Sequence, residues 1–156
     1  MDMPKPTDAH RKLERLAGAW KGTETMQPSP WAPTGSQAEG RIQNRVALDG
    51  FALVGEYEQW KDGMAVFKGH GVTIWNPADE CYEMYWYDSM GQPPEVFRGT
   101  WGGDTLPLIS KNARGWARMT YTFPKPDRMV SRMEMSTDGK TWTTFFDGIY
   151  DKVTSA

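Results

Sequence analysis

The chain has 156 residues, of which 38% are hydrophobic and 24% charged, a balance typical of a folded domain rather than a disordered chain. The formal net charge is -2 and the lysines and arginines are scattered, which argues against a nucleic-acid partner. A lone cysteine, Cys81, excludes an internal disulfide, and neither a signal peptide nor a membrane-spanning run is evident, so we expect one cytoplasmic domain over residues 1–156 without a membrane partner.

The first predicted elements are a flexible arm and one short helix. Residues 1–6 contain two prolines and are expected to form the arm. Thr7 is placed to cap the helix, Leu13 and Leu16 give it an apolar stripe, and Gly18 ends it. No other helix is predicted from the sequence.

Every predicted element after this helix is a strand or a turn. Apolar and polar residues alternate in short segments, which turn residues such as those of Asp49-Gly50 separate. Consecutive segments usually pair, and a closed sheet has no exposed edge, so we predict an all-β, antiparallel up-and-down barrel of about nine or ten strands. The predicted strands are 20–26, 40–48, 51–60, 64–75, 81–88, 95–101, 105–110, 116–123, 129–136 and 142–150.

The segment 27–35 is predicted to be a long loop. It contains three prolines, which lack the N–H group that a central strand needs. The loop carries Trp31, an apolar side chain that would act either as a lid over a cavity opening or as a cover for the edge of the core.

The sequence contains no familiar catalytic motif. It has no glycine-rich phosphate loop and no HExxH, CxxC or GxSxG pattern. Two histidines and one cysteine exclude a multi-histidine or cysteine-rich metal site, so we assign no metal site and name no cofactor.

Aromatic and methionine-rich strands are the main candidates for a pocket wall. In the segment 81–88, alternation puts Trp86 and Asp88 on one face and Tyr85 on the other. Met133 belongs to a second apolar stripe in 129–136. Such residues suit the wall of a cavity for an apolar ligand, but they would equally fill a solid core, and the sequence leaves both interpretations open.

Five polar residues fall at positions that alternation allows on an inward face: Glu24, Asn44, Tyr57, His70 and Asp88. His70 lies between Gly69 and Gly71, and glycine inside a strand often marks the close approach of another group. An inward His70 would be a ligand contact, a general base or a haem ligand, whereas the alternative is a hydrogen-bonded wall residue.

Two sets of motifs carry a family resemblance. The stretch 16–22, with Gly18 and Trp20, resembles the G-x-W opening of the calycins, in which this tryptophan closes one barrel end. A longer series is similar to the bacterial family of unknown function numbered 1579: Gly71-Val-Thr-Ile-Trp-Asn-Pro77, Trp86-Tyr-Asp-Ser-Met90, Phe97-Arg-Gly99, Asp138-Gly-Lys-Thr-Trp142 and Tyr150.

The resemblance covers about residues 13–152 and implies a lipocalin-like β-barrel, with no agreed activity. The chain departs from the family pattern at Ile74-Trp-Asn-Pro77, where Gly-Tyr-Asp-Pro is usual. Nitrobindin-like relatives bind haem through a histidine late in the chain, and no histidine follows His70, so that role is not carried over.

The leading hypothesis is a barrel that binds a small apolar or amphipathic ligand. A second hypothesis is an acid–base enzyme on the same barrel, with His70 paired to Asp88 or Glu24. A third is an interaction module that buries outward aromatic residues in a homodimer. The residues predicted to line the pocket are Trp31, Asn44, Tyr57, His70, Tyr85, Trp86, Asp88 and Met133.

Overall fold

The computed structural model describes residues 1–30 and 32–155, so the candidate lid residue Trp31 lies outside the described residues. Helical structure begins with α1 (Asp8–Arg11) and continues as a 3-10 turn over Lys12–Leu16. No helix in the described part of the chain has the length and apolar character needed to cross a membrane.

Ten strands form a closed antiparallel barrel in the described chain, which confirms the predicted architecture. Each strand pairs with the next one along the chain, and the last strand pairs with the first. The strands are β1 (Gly18–Met26), β2 (Ser36–Ala47), β3 (Ala52–Lys61), β4 (Met64–Asn76), β5 (Cys81–Asp88), β6 (Glu95–Gly99), β7 (Thr105–Asn112), β8 (Gly115–Lys125), β9 (Arg128–Ser136) and β10 (Thr143–Val153).

The pairing of β1 with β10 closes the barrel, and Gly22 allows the two strands to approach each other closely. Gly22 lies opposite Tyr150 of β10 and Gly40 of β2. A Cβ atom at position 22 would lie 1.7 Å from the main-chain oxygen of Ile149, a separation that no side chain tolerates. Glycine therefore allows the first and last strands to approach and pair along their length.

The segment before β1 seals one end of the barrel, which we call the closed end. Leu13 and Leu16 are 2% and 5% exposed, and Trp20 is fully buried beside them. Trp20 donates from Nε1 to the Leu16 carbonyl over 3.0 Å, and Tyr82 donates from its hydroxyl to the Ala9 carbonyl over 2.6 Å. These bonds hold the apolar stripe of the N-terminal segment against the ends of the strands.

Two cations cover the same end from outside. The guanidinium of Arg15 lies 4.9 Å from the ring centre of Trp101 and pairs with Asp104 over 3.0 Å. The ammonium of Lys152 lies 5.3 Å from the ring centre of Trp20. Cations placed over aromatic faces add attraction to the packing of this end, so the seal is polar outside and apolar inside.

Candidate binding cavity

A cavity of about 1040 Å³ occupies the barrel interior. It extends from Leu16 and Leu53 at the closed end to Met90 and Phe145 at the other end, where these two side chains are 70% and 44% exposed. We call this second end the opening. The volume suits a drug-sized molecule, since small-molecule pockets typically measure about 300–1000 Å³.

The cavity wall is mainly apolar, because alternation along the strands turns one residue in two inward. Inward side chains from β2 to β9 contribute, and four of the apolar ones named below are methionines, whose flexible thioethers adapt to irregular shapes. These apolar lining residues include Ile42, Leu53, Phe67, Met84, Phe97, Leu106, Leu108, Met119, Met129 and Met133.

Five of the eight residues predicted for the pocket line this cavity, namely Asn44, Tyr57, Trp86, Asp88 and Met133. Tyr57 and Trp86 face each other with ring centres 6.2 Å apart, and Trp86 donates from Nε1 to Asp88 over 3.0 Å. Asn44 donates from Nδ2 to the carbonyl of Leu16 over 2.9 Å, so its amide anchors the sealed end.

His70 points to the outer face of the barrel, where its side chain is 43% exposed. Gly69 and Gly71 take the inward positions, and Trp86 fills the space beside Gly69, where a Cβ would lie 2.2 Å from the indole ring. His70 instead contacts the carboxylate of Glu56, Nδ1 to Oε1 2.5 Å, also on the outside. The structure therefore does not bring His70 to Glu24 or Asp88, the pairing that the acid–base hypothesis requires.

Tyr85 also points away from the cavity. It neighbours Trp86 in β5, so the two side chains leave opposite faces of the strand. Its hydroxyl donates to Oε1 of Glu83 over 3.3 Å on the outer face. The sequence placed residues from both faces of this strand in the pocket, whereas the structure selects the face of Trp86 and Asp88.

A buried polar cluster interrupts the apolar wall between the two ends. Glu24 of β1 is 0% exposed. Its Oε1 accepts hydrogen bonds from Tyr57 over 2.6 Å and from Gln59 over 3.0 Å, while its Oε2 accepts from Tyr150 over 2.5 Å. These three partners line the cavity and cover the carboxylate, and Ser131 donates in turn to the Tyr150 hydroxyl over 3.3 Å.

The two tyrosines of the cluster are held in their protonated form. Burial raises the pKa of Tyr57 and Tyr150 well above the usual value, and the negative charge of Glu24 raises it further. Gly40 leaves room for this arrangement, because a Cβ there would lie 2.5 Å from Oε2 of Glu24. Both hydroxyls therefore donate their protons to the carboxylate.

Alternation placed Glu24 at a possibly inward position and suggested it as the acid of an enzyme, whereas Gln59 and Tyr150 were not among the predicted pocket residues. Glu24 shares the inward face of β1 with Trp20. Gln59 shares the inward face of β3 with Tyr57, so the same signal could have found it. Their meeting across the wall depends on the strand register, which alternation within one strand does not contain.

The opening combines charged and apolar side chains. Lys61 ends β3 and Asp88 ends β5, while Glu95 begins β6 and Arg114 lies in the turn between β7 and β8. The described residues of the connection between β1 and β2, 27–30 and 32–35, lie at this end, and Gln27, Ser29 and Ala32 reach the cavity. Across the described residues, no three histidine, cysteine, aspartate or glutamate side chains are grouped so as to hold a metal ion.

Over residues 5–152, the chain matches the model of a family described as protein of unknown function, DUF1579. Rv2717c from M. tuberculosis is 16% identical with a TM-score of 0.73, covering 94% of this chain and 98% of that chain. The S-type phycobiliprotein lyase from Guillardia theta is 15% identical with a TM-score of 0.60, covering 94% and 93%. At such identities the likeness shows the fold alone, and no curated protein matches the chain.

Proposed function

This chain belongs to the DUF1579 family of proteins of unknown function, and we propose that it binds a small apolar or amphipathic molecule inside its barrel. The observation that carries this proposal is the cavity of about 1040 Å³ with a mainly apolar wall. A barrel that served only as a structural core would fill this space with side chains, since protein interiors are packed as densely as organic crystals.

The distribution of polar groups also supports a binding role. Charged side chains concentrate at the opening, the buried cluster around Glu24 lies within the wall, and the closed end is apolar. A ligand that fits this pattern has an apolar body and a small polar part, because most of its surface would contact methionine, leucine and aromatic side chains.

Native mass spectrometry of the protein purified from its own host tests this proposal, with a denatured sample to give the mass of the chain. We expect a retained small molecule that adds a defined mass to the native protein and is released on unfolding. A second measurement, titration with the neutral fluorophore N-phenyl-1-naphthylamine, detects an empty but competent cavity. A native mass equal to the chain mass, together with no saturable fluorescence increase, would overturn the proposal.

A further inference from the structure

The buried cluster fixes the direction of its own hydrogen bonds. An ionised carboxylate only accepts, so Tyr57, Gln59 and Tyr150 must all direct protons towards Glu24. Ser131 uses its proton on Tyr150, and the Gln59 amide nitrogen also lies 3.4 Å from the Tyr57 hydroxyl oxygen. The donors of the cluster therefore point into the barrel wall. The side-chain oxygens of the lining residues Tyr57, Gln59 and Tyr150 keep lone pairs that can accept hydrogen bonds from a ligand.

The charges around the cavity leave Glu24 without a balancing cation. Five charged residues line the cavity, and one of them, Glu56, directs its carboxylate to His70 on the outer face. The other four lie at the opening and consist of two cations and two carboxylates, namely Lys61, Arg114, Asp88 and Glu95. Deeper in the described wall, Glu24 is held by neutral side chains and forms no ion pair. Because a cavity with mainly apolar walls screens charge weakly, the ionised carboxylate of Glu24 gives the interior a negative potential.

We propose that the barrel selects its ligand by charge, accepting an apolar body that carries a protonated amine and rejecting a carboxylate of the same size. This inference rests on the proposed binding function and specifies its ligand class. An ammonium group brings N–H donors to the oxygens of Tyr57 and Gln59 and is attracted by the charge of Glu24. A ligand carboxylate brings only acceptors and is repelled by the same charge.

Competition between three matched ligands tests the inference with the unmodified protein. Decylamine, decanol and decanoate share one chain length and differ in their head group, and at pH 7 the amine is protonated and the acid ionised. Each would displace bound N-phenyl-1-naphthylamine at concentrations below micelle formation and at physiological salt. We expect decylamine to displace the probe at a concentration about tenfold or more below that needed with decanoate, with decanol between them.

Two substitutions test whether the preference for decylamine over decanoate comes from the charge of Glu24. Glu24→Gln keeps the size of the side chain and removes the charge, so it should bring decylamine and decanoate to nearly equal potency. Glu58→Gln removes a carboxylate of β3 that is 38% exposed on the outer face near Lys68, and this control should keep the wild-type ratio. Thermal melting of both variants, compared with wild type, reports whether each one folds.

The outcomes separate the two proposals. If the fluorophore and all three ligands fail to bind, the binding function and the charge selection fail together. If decanol and decanoate bind as well as decylamine, the binding function holds and the charge selection is overturned. A wild-type preference for the amine that Glu58→Gln also abolishes, or that a folded Glu24→Gln keeps, would refute the role of Glu24.

Discussion

Four of the six tyrosines have pKa values raised by burial, and this links the cavity to alkaline stability. Burial raises the pKa of Tyr121, which lines the cavity, to about 12, above the usual value of 10.0. Between these two values the unfolded chain loses a proton that the folded protein keeps. The stabilising contribution of the neutral Tyr121 is therefore complete below pH 10 and declines as the pH rises towards 12.

We expect the free energy of unfolding to fall above pH 10, and Tyr121→Phe to make this fall less steep. Urea unfolding at a series of alkaline pH values measures the slope, and tyrosinate absorbance reports when the buried hydroxyls ionise. Tyr87→Phe, which removes a hydroxyl from a side chain that is 46% exposed, is the matched control. An unchanged slope in Tyr121→Phe would show that this hydroxyl does not couple to folding.

Single residues also show where a sequence is informative and where it is not. Trp86 and Met133 face the cavity, the side to which alternation of long apolar side chains assigns them. His70 was assigned to the wrong face because the inward glycines beside it hold no side chain that marks the face. Asn44 was predicted to line the pocket, but its hydrogen bond to the Leu16 carbonyl could not be predicted. The two residues are 28 positions apart, and no local pattern indicates that they meet.

At the scale of strands, the turn residues marked where each strand ends, so the sequence predicted the number and order of the strands well. All ten predicted segments overlap the observed strands, and the sharp connections fall at turns such as Asp62-Gly63, where both residues have positive φ. The main difference is β2, which begins at Ser36 rather than at residue 40. The pairing of Ser36 with Met26 extends this strand, so the neighbour in space, and not the local pattern, sets its start.

The closing strand pair gives a prediction of its own. Gly22→Ala should lower the free energy of unfolding by about 3 kcal/mol or more, because the added methyl group meets main-chain atoms of β10 that have no room to move. Gly71→Ala is the matched control within β4: its Cβ would lie 3.4 Å from the nearest atom, a side-chain atom of Trp86, and should be tolerated. Urea unfolding of both variants measures the difference, and equal stabilities would contradict the close-approach role of Gly22.

At the scale of the whole molecule, the cavity volume is the property that binding depends on. Met133→Trp adds a larger ring to the inward face of β9, so we expect affinity for N-phenyl-1-naphthylamine to fall by about tenfold as the space fills. Ile149→Trp makes a comparable change at a side chain of β10 that is 53% exposed, and it should leave the affinity unchanged. Loss of affinity in both variants would point to binding outside the barrel.

The fold class and the strand order followed from patterns that each segment carries by itself, whereas the cavity did not. Methionine and aromatic stripes are compatible with either a solid or a hollow interior, and the difference depends on the diameter that ten strands impose. The cluster around Glu24 likewise joins residues up to 126 positions apart, a contact that only the closed barrel creates.

The N-terminal seal has a kinetic consequence for any molecule held inside. Because Leu13, Leu16 and Trp20 fill the closed end, a molecule can enter and leave the interior only through the opening. An elongated guest therefore enters lengthwise, the end that enters first leaves last, and its head-to-tail direction is fixed on arrival. We expect the residence time to depend on the loops at the opening, including residues 27–30 and 32–35, while the seal sets how far the guest can travel.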